Sequence, residues 1–180
     1  MTEIEVPLDK VQEDLIEHAH HSGGDRLMMR LALTSALLAA LAAVAALLAG
    51  HHANEAMLEQ IHASDQWSYF QAKGIKAAVL GTKLDLTRVL GKAPAGKDVE
   101  KLAEYKKEQE EIKKDAEEKE KESRAHLAHH VILARAVTMF QVAIAIAAIC
   151  ALTHRRRFLF VSLGFGIAGI LFLAQGILVT

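Results

Sequence analysis

Two scarcities restrict this 180-residue chain most: one cysteine, and no acidic residue in any of its three long apolar runs. Cys150 alone closes no intramolecular disulfide, and its place inside an apolar run says nothing of redox compartment. Every Asp and Glu lies in residues 1–26 or 51–130. That distribution argues against a proton- or sodium-coupled transporter, which usually needs an intramembrane carboxylate. A net charge of −1 gives no basic excess, and no nucleic-acid partner is expected. No cleavable signal peptide is expected either. The first apolar run follows an acidic leader, exceeds the length of a signal core, and has no clear cleavage site after Gly50. No Ser, Thr or Cys stands in a pattern that supplies a base and an oxyanion partner, so no enzyme and no cofactor are expected.

What is present is apolar length. Leu31–Ala49, Ala136–Thr153 and Phe158–Thr180 are 19, 18 and 23 residues long. About 20 apolar residues cross a bilayer core as a helix, so each qualifies as a transmembrane span. The expected fold is an all-α membrane protein with three transmembrane helices and a long extramembrane antiparallel helical hairpin between the first and second. Residues 1–26 read as an amphipathic leader that packs on protein. They are followed by a first span over 27–50, the hairpin over 51–130 with its tip at 91–97, a second span over 131–153, a basic turn at 154–157, and a third span over 158–180. Arg155-Arg156-Arg157 in the short turn places that turn in the cytoplasm by the positive-inside rule. The N-terminus should then be cytoplasmic, and the hairpin and C-terminus should be outside. The hairpin carries 14 Lys and Arg against 15 Asp and Glu, but loops this long translocate regardless of charge.

The charged segment has its own rhythm. Met57, Ile61, Ser64, Ser68, Gln71, Ile75, Ala78 and Thr82 repeat at steps of four and three, as do Leu102, Tyr105, Gln109, Ile112, Ala116, Lys119 and Ser123. The breaker cluster Gly91–Lys97 marks the turn about Pro94, with Leu90 opposite Asp98. Each arm would extend ~50–60 Å by helical rise. The seam is half polar and thin for an isolated coiled coil. Glu and Lys crowding Glu100–Glu122 read as a solvated helix face, with a partner-binding surface as the alternative. Trp67 lies ~25 Å past the first span, too far for a membrane-interface belt, and is expected to pack on the second arm or a neighbouring subunit.

Small residues recur in the spans. Ala36, Ala40, Ala39, Ala43, Ala42, Ala46, Ala45 and Ala49 form overlapping small-xxx-small pairs, and Ala143, Ala147 and Ala151 add another stripe. Such residues allow close backbone approach in lipid, and their abundance points to a homo-oligomer with cyclic symmetry. Gly164-Phe165-Gly166-Ile167-Ala168-Gly169 spells a dinucleotide loop, but no strand precedes it, so these read as packing glycines. Gln141 reads as an interhelical hydrogen-bonding group, or as a pore lining.

Ten histidines fall in clusters: His18, His20 and His21; His51, His52 and His62; His126, His129 and His130, with His154 in the basic turn. In the register above, His62 faces His126 and Glu59 faces His129. Glu59-x-x-His62 has the spacing by which helical bundles aim a carboxylate and an imidazole inward. Glu59, His62, His126 and His129 are thus the candidate metal ligands, suited to zinc, copper or iron. Interfacial polar histidines without a dedicated role, or a pH-responsive belt, are the competing readings.

Four strings then carry a resemblance: HHANEAM (51–57), SDQWSYFQAKGIKAAVL (64–80), YKKEQEEIKKDAEEKEKES (105–123) and LARAVTMFQVAIAIAA (133–148). Over nearly its whole length the chain resembles a bacterial family of inner-membrane proteins known only as a domain of unknown function. The resemblance implies a bacterial inner membrane and carries no catalytic or binding residues. The expected function is a non-enzymatic, homo-oligomeric envelope scaffold in the lipid bilayer, presenting a stalk to an unidentified protein partner. A pore or ion-conducting protein, or a metal or pH sensor, is the alternative.

Overall fold

The computed structural model describes residues 26–178. The expected leader, with its histidines His18, His20 and His21, lies outside them, as do Val179 and Thr180. The described chain is three helices with no strand: α1 (Arg26–Val89, 64 residues), α2 (Gly96–Thr153, 58 residues) and α3 (Arg156–Leu178, 23 residues). Each contains a segment long and apolar enough to cross a membrane.

No proline interrupts residues 8–93, which lets α1 run unbroken. It stops at Gly91, whose φ of 71° is the left-handed conformation that favours glycine. Gly91 N donates to Arg88 O and Lys92 N to Thr87 O, satisfying the last carbonyls in the manner of a glycine C-cap. α2 opens after Pro94, with Asp98 N bonded to Ala95 O and the Asp98 carboxylate in the first turn, where the helix dipole favours it. α2 ends at His154, at φ 51°. Only His154 and Arg155 lie outside helix there, so Arg156 and Arg157 of the expected turn belong to the start of α3.

The chain divides into two compact units. One comprises the described residues 26–52 and 128–178 and holds the apolar core. Along α1, Leu31, Ser35, Leu38, Ala42, Ala45 and Ala49 are buried at alternating steps of four and three. Leu38, Ala42, Ala45 and Ala49 share a core with Leu133, Ala136, Phe140, Ala143 and Ile144 of α2 and Leu173 of α3, while Leu31 packs with Ala147 and Cys150 of α2. The α3 face is Ser162, Gly166, Gly169, Leu173 and Gly176, again at steps of four and three. A Cβ on Gly169 would lie 2.6 Å from the Phe140 ring, and one on Gly176 would lie 2.6 Å from Leu133. Gly166 and Gly169 therefore serve as the expected packing glycines, whereas Gly164 faces open space. Ala143 and Ala147 are buried, but Ala36, Ala40, Ala43 and Ala46 of the first alanine set stay exposed.

The second unit, Ala53–Leu127, contains the charged parts of α1 and α2. On α2 the expected seam is the one used: Ile112, Ala116 and Ser123 are buried, and Leu102, Tyr105, Gln109 and Lys119 are half-buried. On α1 the seam is different. Met57, Ile61 and Ile75 are 63%, 51% and 65% exposed, and the buried positions are Ala56, Ala63, Lys73, Ala77 and Leu84. The expected face followed the largest apolar residues; the structure buries a line about one position earlier in which three alanines let the two helix backbones approach closely.

The register also departs from expectation. Asp98, expected opposite Leu90, accepts a hydrogen bond from Lys83 at 2.7 Å. Ser123, expected opposite Asp65, donates to Ala56 O at 2.8 Å. The reversal thus centres near Gly91 rather than Pro94. Residues 92–95 are not helical, and extended chain advances about 3.3 Å per residue against 1.5 Å in a helix. Four non-helical residues are long enough to carry the chain back past α1's last turn before α2 begins.

Candidate functional site

Polar groups concentrate in two places, one in each unit. In Ala53–Leu127 a series of side chains joins α1 to α2. Lys73, almost buried, forms an ion pair with Glu108. Its ammonium also lies 5.4 Å from the Tyr69 ring centroid and 5.2 Å from that of Tyr105, within cation–π range. The Glu108 hydrogen bond holds the Lys73 pKa above its ordinary value, against the opposing effect of burial. One turn on, Gln109 Nε2 donates to Phe70 O at 3.3 Å, in a space left by Gly74, where a Cβ would come within 2.8 Å of the same nitrogen. Trp67 Nε1–H donates to Glu120 Oε1 at 2.8 Å and sits edge-on to Phe70 at 5.6 Å, so it packs on the second arm. Lys119 joins two carboxylates, Glu122 at 2.7 Å and Glu59 at 3.0 Å. The Glu122 hydrogen bond first, and the Glu59 carboxylate after it, hold the lysine pKa up, and the Lys119 bond holds Glu122 below the usual carboxylate range.

The expected metal ligands are distributed as follows. Glu59 Oε2 is buried next to Lys119 but has no donor in hydrogen-bonding geometry, so charge alone holds that pair. His62 is exposed. His126 is half-buried, and its charge contributes to lowering the Glu122 pKa. His129 belongs to the other unit. Among the described residues, no three His, Cys, Asp or Glu side chains gather so that they could hold a metal ion. In the observed register Ser123 meets Ala56 and Gln60, so the stretch of α2 just before His126 lies about two turns from His62.

Imidazoles do cluster in the apolar unit. His52 stacks on His129 with centroids 4.9 Å apart and planes 18° apart, and His51 lies 5.5 Å from His52. His130 Nδ1 is 2.9 Å from Ala49 O, and His129 Nδ1 is 3.4 Å from Gly176 O. A carbonyl only accepts, so in each of these contacts Nδ1–H is the donor. His129 thereby reaches a carbonyl in the last turn of α3 and His130 one within α1, and the paired His-His spelling at residues 51–52 and 129–130 flags these places by position alone. The Lys73–Tyr105–Glu108 group carries no such flag: a lysine on a buried phase looks like any other surface lysine until the register is known.

The profile of the domain of unknown function DUF4337 matches residues 27–179. The chain belongs to the DUF4337 family. The match takes in all three helices, both polar groups and both units of this DUF4337 member. No protein with a curated description matches the chain, and no solved structure does.

Proposed function

We propose that this DUF4337 member is a multi-pass protein of the bacterial inner membrane, acting as a non-enzymatic, homo-oligomeric scaffold that presents a helical stalk to a protein partner. The observation that carries the reading is a contrast between the exteriors of the two units. Outside the apolar unit, Leu33, Leu47, Phe160 and Leu171 are 72%, 75%, 72% and 65% exposed, with no Asp or Glu among its described residues. Exposed apolar area on that scale is unfavourable in water, at about 25 cal/mol per Å², and neutral in hydrocarbon. On the exterior of the Ala53–Leu127 unit, α2 carries pairs such as Lys107–Glu111, 81% and 64% exposed, which belong in water. Contacts there step down α1 as they step up α2, from Lys83–Asp98 through Lys73–Glu108 to Ala56–Ser123, which supports an antiparallel hairpin.

The polar ladder supports a mechanical role for the stalk. Its lysines, carboxylates and indole are engaged with one another, leaving no activated nucleophile in an enclosed pocket. A pore has less support, since the Thr138 hydroxyl donates to Ala134 O of its own helix at 2.9 Å. In this reading the Arg155–Arg157 segment is cytoplasmic and the stalk and C-terminus are periplasmic. A phosphatase that folds only in the periplasm should be active when fused after Thr180 and inactive when inserted at Arg156. Activity at Arg156 alone would reverse the orientation, and recovery of the protein in the soluble fraction after alkaline extraction would end the membrane reading.

A further inference from the structure

The α1 helix carries a second seam, on the side away from α2. Between Leu58 and Val89, ten positions at alternating steps of three and four are all exposed. Six of them hold large aliphatics: Leu58, Ile61, Ile75, Val79, Leu86 and Val89, from 49% to 83% exposed. The other four are Asp65, Ser68, Ala72 and Thr82. Both hydroxyls are already satisfied within the helix, Ser68 to Ser64 O at 2.9 Å and Thr82 to Ala78 O at 3.0 Å. Apart from Asp65, nothing on this line needs water. The outer side of α2 in the same unit is different: Val99 and Leu127, near its ends, are its only exposed large aliphatics. The two helices therefore do not present alternative solvated faces. α2 has one apolar line and uses it on α1; α1 has two and uses only the smaller.

We infer that this outer seam of α1 pairs with the same seam of a second copy of the chain, in parallel and in register. A 3.5-residue repeat sustained over ten positions is the imprint of another helix crossing at a small angle, not of a compact ligand. A second copy carries the matching imprint, and copies anchored in one bilayer present their stalks in the same direction. Taking ~110 Å² for a fully exposed aliphatic side chain, the six residues offer about 400 Å² per copy. At the ~65% apolar share of homodimer interfaces, that corresponds to roughly 600 Å² per copy, against ~800 Å² for a standard interface. The seam within Ala53–Leu127 thus supports a pair weaker than a standard interface, one that dilution can separate. Asp65 is the discordant layer. Paired with its own counterpart it weakens the contact, and like other charged core positions it disfavours slipped registers. Only the parallel orientation rests on the membrane reading above.

The test uses the full chain carrying Cys150→Ser, with a single new cysteine. In a parallel, in-register pair each seam residue meets its own counterpart, so Ile75→Cys or Val79→Cys should crosslink on oxidation to a band of twice the chain mass. Lys107→Cys and Glu111→Cys, exposed on α2, should give at least tenfold less. Two further variants read the equilibrium. The double change Ile75→Asp and Val79→Asp alters two residues that are 65% and 66% exposed, so it should leave helicity intact and abolish the dimer band. Asp65→Leu should increase it several-fold. Equal crosslinking at Lys107, a monomer by light scattering at all concentrations, or a band at the mass of a different protein would each overturn the inference. Alkaline extraction of the same samples reads membrane insertion separately, so failure of the scaffold reading and failure of the seam give different results.

Discussion

Lys73 and Lys119 hold their protons more tightly in the folded chain than in an unfolded one, and Glu122 holds its proton less tightly. The signs give opposite pH windows. The raised lysines contribute stability that is fully present below their ordinary pKa of 10.5 and is lost as pH rises beyond it. The lowered carboxylate contributes stability that is present above its ordinary 4.5 and is lost as pH falls below it. Helix melting should therefore show a plateau across neutral pH with a fall at each end. Glu122→Gln should flatten the acid fall and lower the plateau slightly; an unchanged acid limb would remove Glu122 from the account. Gly169 makes a steric prediction. Gly169→Val puts carbon into the Phe140 ring, where a Cβ already lies 2.6 Å away, and should cost roughly 1–3 kcal/mol by overpacking. Gly164→Val meets open space and should be close to neutral in the same thermal melt. Equal effects at the two glycines would contradict the α3 face described here.

At the scale of the element, α2 was legible and the charged half of α1 was not. Between Glu100 and Glu122 every position off the seam is charged or small, so one apolar line remains and the rhythm of Leu102 to Ser123 identifies it. α1 offers more than one apolar line. Met57, Ile61 and Ile75 outweigh Ala56, Ala63 and Ala77 on any hydrophobicity scale, yet the alanines are the ones buried. Close helix contact selects for size as well as for hydrophobicity, and size acts only once a partner helix is present. Ala63→Leu, at a fully buried site, should destabilise the fold by roughly 1–3 kcal/mol. Met57→Ala, at a site 63% exposed, should change the stability of the single chain by under about 0.5 kcal/mol. The reverse order of these two denaturation midpoints would restore the expected seam. Register is a separate element-level quantity. Gln60→Cys with Ser123→Cys, side chains in contact at 3.5 Å, should form an intrachain disulfide in a Cys150→Ser background. Gln71→Cys with Glu117→Cys, level in the expected register, should not, since bridging needs Cα atoms within ~7 Å.

At the scale of the whole molecule, much follows from local chemistry alone. Three apolar lengths, the freedom from proline over residues 8–93 and the breaker cluster at 91–97 determine three helices and their boundaries to within a few residues, because helix length and termination depend on near neighbours. The family is legible for a similar reason, carried by contiguous strings. Register is not local. It depends on how far residues 92–95 carry the chain after the left-handed Gly91, a geometric outcome with no residue type assigned to it. The candidate metal set depended on that register. Glu59 lies beside Lys119, His62 is exposed, and His129 stacks on His52. Which lysine would be clamped between two tyrosines, and which of two apolar lines on α1 would be covered, were likewise decided only by packing. Period and composition specify that a helix has a sticky face; when there are two, only the fit between backbones chooses which one the chain uses on itself and which it leaves outside.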